Sequence, residues 1–168
     1  MSRRRLLITA AVTVAAALLA GTACGDRTKR SHAGTAAAAR LTKNEYLAKL
    51  RTADTIASKA DNTALAALQG KQTTAGQVRA AFYAMGKTHV RIGKEFAAIA
   101  PPRAAIKANG DFAHAELVLG RQNEAIALRL PKTRQAIMKR LQSLKPPSGG
   151  KLLDKAIEEL HAAGFNAH

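Results

Sequence analysis

The sequence has one cysteine, no tryptophan, two tyrosines and four phenylalanines in 168 residues. A single thiol excludes an internal disulfide framework. Aromatic residues at 4% leave few stacking platforms for nucleic-acid bases and argue against a β-sandwich, whose core leans on aromatic and β-branched side chains. Acidic residues are also scarce, 11 against 27 lysines and arginines, for a formal net charge of +16. The motifs that mark common chemistries are missing. There is no G-x-S-x-G elbow, no phosphate-binding loop, no cysteine spacing for zinc and no H-E-x-x-H. With no catalytic constellation in view, the expectation is a protein that is not an enzyme.

What is present is alanine and leucine. Hydrophobic residues make up 47% of the chain, and with so few aromatics that share is mostly small and aliphatic. Alanine is the best helix former, so closely packed helices are expected. The length suits one domain with a moderate core. The positive charge suits anionic partners: nucleic acid, anionic lipid headgroups or wall polymers. Compartment has to choose among them.

The lone cysteine speaks to compartment. Met1 to Arg5 reads MSRRR, Leu6 to Ala23 carries no charge, and charge returns with Asp26, Arg27, Lys29 and Arg30. A basic start (Arg3, Arg4, Arg5), an apolar stretch and small residues at its end predict an export signal over residues 1–23. An uncleaved transmembrane helix competes with it, but the run lies near the ~18-residue lower limit for a span and is rich in Ala and Thr. The sequence AGTAC ending at Cys24 resembles the lipobox of bacterial lipoproteins. In that family the signal is cut before the cysteine, which is acylated and becomes the first mature residue. Ala23 matches the small residue before the cysteine and Thr22 is compatible. Gly21 departs from the usual leucine, although Leu18 and Leu19 lie close by. Cleavage elsewhere would leave an exposed free thiol, a liability in an oxidising compartment.

The start Ser2-Arg3-Arg4, followed by Leu6 and Leu7, also resembles a twin-arginine export signal, with Ile8 where lysine is common. The implied location is the extracytoplasmic face of the bacterial cell membrane, lipid-anchored through palmitate-type acylation, with partial release as a secreted form. No nucleic acid is expected there. Residues 24–40 lack apolar periodicity and large hydrophobes and read as a flexible basic tether. Its charges would stand within reach of anionic headgroups.

The expected fold is all-α: an up-down antiparallel bundle of three long helices plus two shorter C-terminal ones, over residues 41–168. Thr42 and Glu45 form a T-x-x-E capping box, with Leu41 and Tyr46 at staple positions. Tyr46, Leu50, Ala53, Ala57, Ala60 and Ala64 come next at spacings of three and four, and Gly70 is a stop. Thr74 and Gln77 offer a second capping box. The second helix carries a regular seam of Val78, Phe82, Met85, His89, Ile92, Phe96 and Ile99, with Gly86 and Gly93 beside it permitting close backbone approach.

Pro101 and Pro102 end that helix and open the third, from about Arg103 to Leu130, whose apolar side holds Ile106, Phe112, Ala113, Leu119 and Ile126. A fourth helix carries Ile137, Met138, Leu141 and Leu144. After KPPSGG comes a last one with Leu152, Leu153, Ala156, Ile157 and Leu160, closed by Gly164 with Phe165 folded back in a Schellman motif. A shift of 45 residues superposes the two Pro-Pro corners and suggests an internal duplication. Over most of its length the chain resembles small secreted lipoproteins of actinobacteria, on its Ala-rich signal, its lipobox, the opening Leu41-Thr42-Lys43-Asn44-Glu45-Tyr46 and its Pro-Pro-punctuated helices. That resemblance implies location and fold, and no activity.

His89 is the one polar residue at the centre of an apolar seam. Antiparallel register about the Pro-Pro corner sets it opposite Ala113 to Glu116. On a helical wheel Glu116 points to the apolar side, as do Asn109 and Asn123 a heptad to either side. Register about the first turn sets His89 opposite Asp54. The expected cluster is therefore Asp54, His89 and Glu116, with Met85 a turn away. Buried histidines need partners, so a hydrogen-bonded core network is the plain expectation. A site for a transition metal or haem is the alternative, since bundles hold metals between facing helices. Asp111 with His114, and Glu158 with His161, have the spacing of di-iron fragments but fall on or beside solvated faces. The functional expectation is a lipid-anchored protein with a binding or scaffolding role at the envelope, its basic surface toward anionic lipids or wall polymers, and no protein partner identified.

Overall fold

A computed structural model describes residues 39–166. The export segment with Arg3, Arg4 and Arg5, Cys24, the tether up to residue 38, His32 and His168 lie outside the described residues. The body is all-α. Helix α1 spans Lys43–Gln69, α2 Ala75–Ala98, α3 Ile106–Arg129, α4 Arg134–Ser143 and α5 Ser148–Ala162, with no strand among the described residues. Three long helices of 27, 24 and 24 residues are thus succeeded by shorter ones of 10 and 15. Among the described residues, no helix is long and apolar enough to cross a membrane.

The ends of these helices are set locally. Thr42 Oγ1 accepts from the Glu45 amide while the Glu45 carboxylate accepts from the Thr42 amide at 2.8 Å. Thr74 and Gln77 repeat the arrangement at the start of α2. Each box satisfies two amides that the first turn leaves without partners. In each Pro-Pro pair the second proline is the N-cap of the next helical segment. Pro102 has ψ 149° before a single 3₁₀ turn, Arg103–Ala105, and Pro147 has ψ 134° before α5. Gly164, with φ 83°, ends α5 in the left-handed region. Its amide reaches His161 O, and that of Phe165 reaches Leu160 O at 2.9 Å, the full Schellman pattern. Arg134 donates both guanidinium arms to Gly70 O and Leu68 O, placing a cation where the α1 dipole ends.

Packing divides the interior in two. The larger core gathers Tyr46, Leu50 and Ala53 from α1, Ile92 and Phe96 from α2, Phe112 and Ala113 from α3, and Leu160 and Phe165 from the last segment. The scarce aromatics concentrate here. Tyr46 stands edge-on to Phe165 at 5.3 Å and to Phe96 at 6.1 Å, and Phe96 to Phe112 at 4.8 Å between centroids. The smaller core holds Val78, Leu130 and Ile137, with Leu68, Phe82 and Leu141 against it. It is what ties the ten-residue α4 down, while Met138 on the same helix is 38% exposed. Ile106 and Leu152, which periodicity assigns to apolar faces, are about half exposed instead. The 3₁₀ turn rotates the first residue of α3 outward, so the buried stripe of that helix begins at Ala108 and Asn109.

Helices α2 and α3 form the tightest pair. A Cβ placed on Gly120 would lie 2.6 Å from Gly86 O and from Val90 N, and one on Gly93 would lie 2.8 Å from Ala113 O. Those distances put backbone against backbone, as the glycines beside the α2 seam lead one to expect. Asn109 bridges three helices within the larger core. Its amide donates to Phe96 O at 2.9 Å, near the end of α2, and its oxygen accepts from Tyr46 Oη at 3.1 Å.

Candidate functional site

Between the two cores lies a polar layer built by three helices. On α2 it falls between Val78 and Ile92, and on α3 between Phe112 and Ile126. His89 is 2% exposed and Glu116 is 2% exposed. His89 Nδ1 lies 2.7 Å from Glu116 Oε2, and Nε2 lies 3.1 Å from Asp61 Oδ1. Asp61 itself is half exposed, with its side chain at 52%. Two carboxylates facing both ring nitrogens call for a doubly protonated ring, since an imidazolium donates from each nitrogen. Burial pulls the His89 pKa down, but the hydrogen bonds and charges of Asp61 and Glu116 outweigh it and lift the value to about 9. The layer is therefore an ion-paired clamp. One imidazolium on α2 holds a buried carboxylate on α3 and a half-exposed one on α1.

Asp61 takes the place expected for Asp54. Asp54 lies on the same stripe of α1, seven residues earlier, and is exposed with no hydrogen bond to His89. The reason is the direction of side chains. Cα–Cβ bonds tilt toward the N-terminus of a helix. His89 therefore leans toward the α1–α2 turn, while Asp61 leans away from that turn, so the two converge. Asp54 leans away from His89. Matching Cα levels across the pair overlooks that tilt. Glu116 is the partner that register about the Pro-Pro corner leads one to expect. Met85, expected nearby, faces the other side of α2, in a surface groove with Ile56, Ala60, Thr63 and Thr88.

The clamp forms part of the floor of a cleft of about 190 Å³ between α1 and α5. Leu50, Ala57, Phe112, Leu119, Leu153 and Ile157 supply apolar lining, while Asp54 and Asp61 on α1 and His161 on α5 add polar groups. The tie between α5 and α3 sets the position of the α5 wall. Gly149 N donates to Gln122 Oε1 at 2.9 Å, and Gln122 Nε2 to Ser148 Oγ at 2.6 Å. His161, set beside the solvated face by the helical wheel, is exposed and also lines the cleft. His114 is exposed on the outside of α3. Sequence reasoning missed Asp61 and the whole α5 wall. The signal for Asp61 is its heptad spacing from Asp54. The amphipathic stripe of α5 announces burial but not against which helices.

A metal at His89 needs a neutral ring with a free lone pair. Here both nitrogens face carboxylates and the ring is held protonated, so a metal would first have to displace a proton and one partner. Among the described residues, no group of three His, Cys, Asp or Glu side chains is arranged to hold a metal ion. No known family model, curated protein or solved structure matches the chain.

Proposed function

We propose that this protein is a lipid-anchored, extracytoplasmic binding protein of the bacterial envelope. Cys24 would be the acylated first residue, the body would carry a ligand in the α1/α5 cleft, and the basic surface would lie against anionic lipids or wall polymers. The observation that carries a binding role is the cleft. Apolar walls stand over a floor that carries a few convergent polar groups, the pattern of small-molecule sites. The His89 pair is a poor general acid or base, since a ring protonated to about pH 9 and held from both sides has no proton to exchange readily near neutrality.

The anchor rests on the Cys24 segment and the surface role on the basic excess that remains once Arg3, Arg4 and Arg5 leave with residues 1–23, 24 lysines and arginines against 11 acids. Intact-mass measurement of protein from its native host is expected to show residues 1–23 removed and acyl mass on Cys24. An unmodified thiol, or a retained signal, overturns the anchor. Cosedimentation with anionic vesicles of the chain carrying Cys24→Ala is expected to fall steeply between about 50 mM and 500 mM salt as screening shortens the reach of the charges. Retention that does not change with salt overturns the electrostatic role.

A further inference from the structure

The cleft inverts the charge of the molecule. The chain has 27 lysines and arginines against 11 acids, so a groove on its surface should by composition be basic. Among the described residues lining this one there is no lysine or arginine, yet three carboxylates, Asp54, Asp61 and Glu116, are present. The cation facing them is His89, and both its nitrogens are already engaged. His161 stands on the α5 side, and Lys43 is near the far end, 5.7 Å from the ring centroid of Phe165. An anionic ligand would thus meet no unengaged donor on His89 and a surplus of negative charge. A cation would meet acceptors at Asp54 and Asp61. The positive field of the rest of the surface is screened beyond about 8 Å at physiological salt, so the groups lining the cleft dominate inside it.

Size and wall chemistry narrow the ligand further. The cavity of about 190 Å³ is smaller than the roughly 300–1,000 Å³ of sites for drug-sized molecules. Its walls are mainly aliphatic, with the rings of Phe112 and Phe165 among them. Resting on the binding role proposed above, we infer that the α1/α5 cleft takes a small organic ammonium, its charged head against Asp54 and Asp61 and its apolar body along Leu50, Leu153 and Ile157.

The test is a matched series on the full chain: hexylammonium, 1-hexanol and hexanoate, three molecules of one shape with charges of plus one, zero and minus one. Binding is read from amide shifts of Ala57, Ser58, Leu153 and Ile157. Hexylammonium is expected to saturate those shifts with an affinity at least about tenfold above that of hexanol, with hexanoate weaker still. Asp54→Asn, which leaves the His89 clamp untouched, is expected to cut the preference to about threefold, and the Asp54→Asn/Asp61→Asn pair to abolish it. Hexanol or hexanoate binding as well as the ammonium overturns the cationic specificity but leaves the cleft as a binding site. A full preference surviving in the double variant also overturns it. No shift at these residues with any of the three overturns the specificity and the binding role together.

Discussion

The bundle contains two helix pairs of opposite character. Between α2 and α3, glycines let the backbones touch, and nothing larger than a hydrogen atom would fit at Gly120. Between α1 and α5 lies the cleft, and Tyr46 on α1 stands against Phe165 just beyond the end of α5. The first pair stores stability and supplies the two buried members of the clamp, His89 and Glu116, because close approach removes water from around them. The second keeps space. The α1/α5 side has the room that the proposed binding role needs.

The largest expected effect tests the clamp inside the tight pair. Glu116→Ala leaves a buried imidazolium with only the half-exposed Asp61, and should lower unfolding stability by about 4 kcal/mol in urea titration. Gly120→Val comes next. Its new atoms would press on backbone at Gly86 and Val90, which cannot rotate away, for a loss of about 3 kcal/mol by the same measurement.

Proton linkage probes the clamp without mutation. The folded His89 pKa of about 9 lies above its ordinary 6.5, so the folded state binds the proton more tightly than the unfolded chain. The clamp's contribution is complete below about pH 6.5 and is lost progressively as pH rises through about 9, an effect on the order of 3 kcal/mol. Urea midpoints measured from pH 6 to 9.5 should fall across that window, and the slope should flatten in Glu116→Ala.

Ala57→Leu adds bulk on the open side. It should move stability by less than about 1 kcal/mol while blocking hexylammonium, the reverse of the Gly120 result. A large stability loss there would mean that the α1/α5 pair is packed as tightly as α2/α3. Lys107→Ala should have the smallest effect. Lys107 pairs with Asp111 at 2.7 Å and Glu159 at 2.6 Å, but on an open surface, where such pairs contribute little. Its urea midpoint should match the parent's.

Much of the architecture is legible in the sequence because it is local or pinned by a short connection. The capping boxes at Thr42 and Thr74, the Schellman end at Gly164 and the glycines beside the α2 seam depend on neighbours within a turn. The pairing of His89 with Glu116 is legible because the Pro-Pro corner leaves little freedom of register between α2 and α3. Asp61 is not, because level matching counts Cα positions, whereas the contact is made by side chains tilted in opposite senses on antiparallel helices. Ile106 escapes its assigned face because the 3₁₀ turn changes the phase of α3 by part of a turn, which no periodicity over α3 itself records.

The amino-acid sequence alone determined that the described body is helical, that α1 and α2 start at their capping boxes and α5 ends at Gly164, and that α2 and α3 approach closely at glycines, since these features arise from hydrogen bonds and steric limits over a few residues. The tertiary structure alone decided that α5 lies across from α1 without closing on it, and that Asp54, Asp61 and Glu116 share one apolar cleft. Those facts depend on how four helices divide a common interior, and side chains far apart in the chain meet there only after every pairwise packing has been settled.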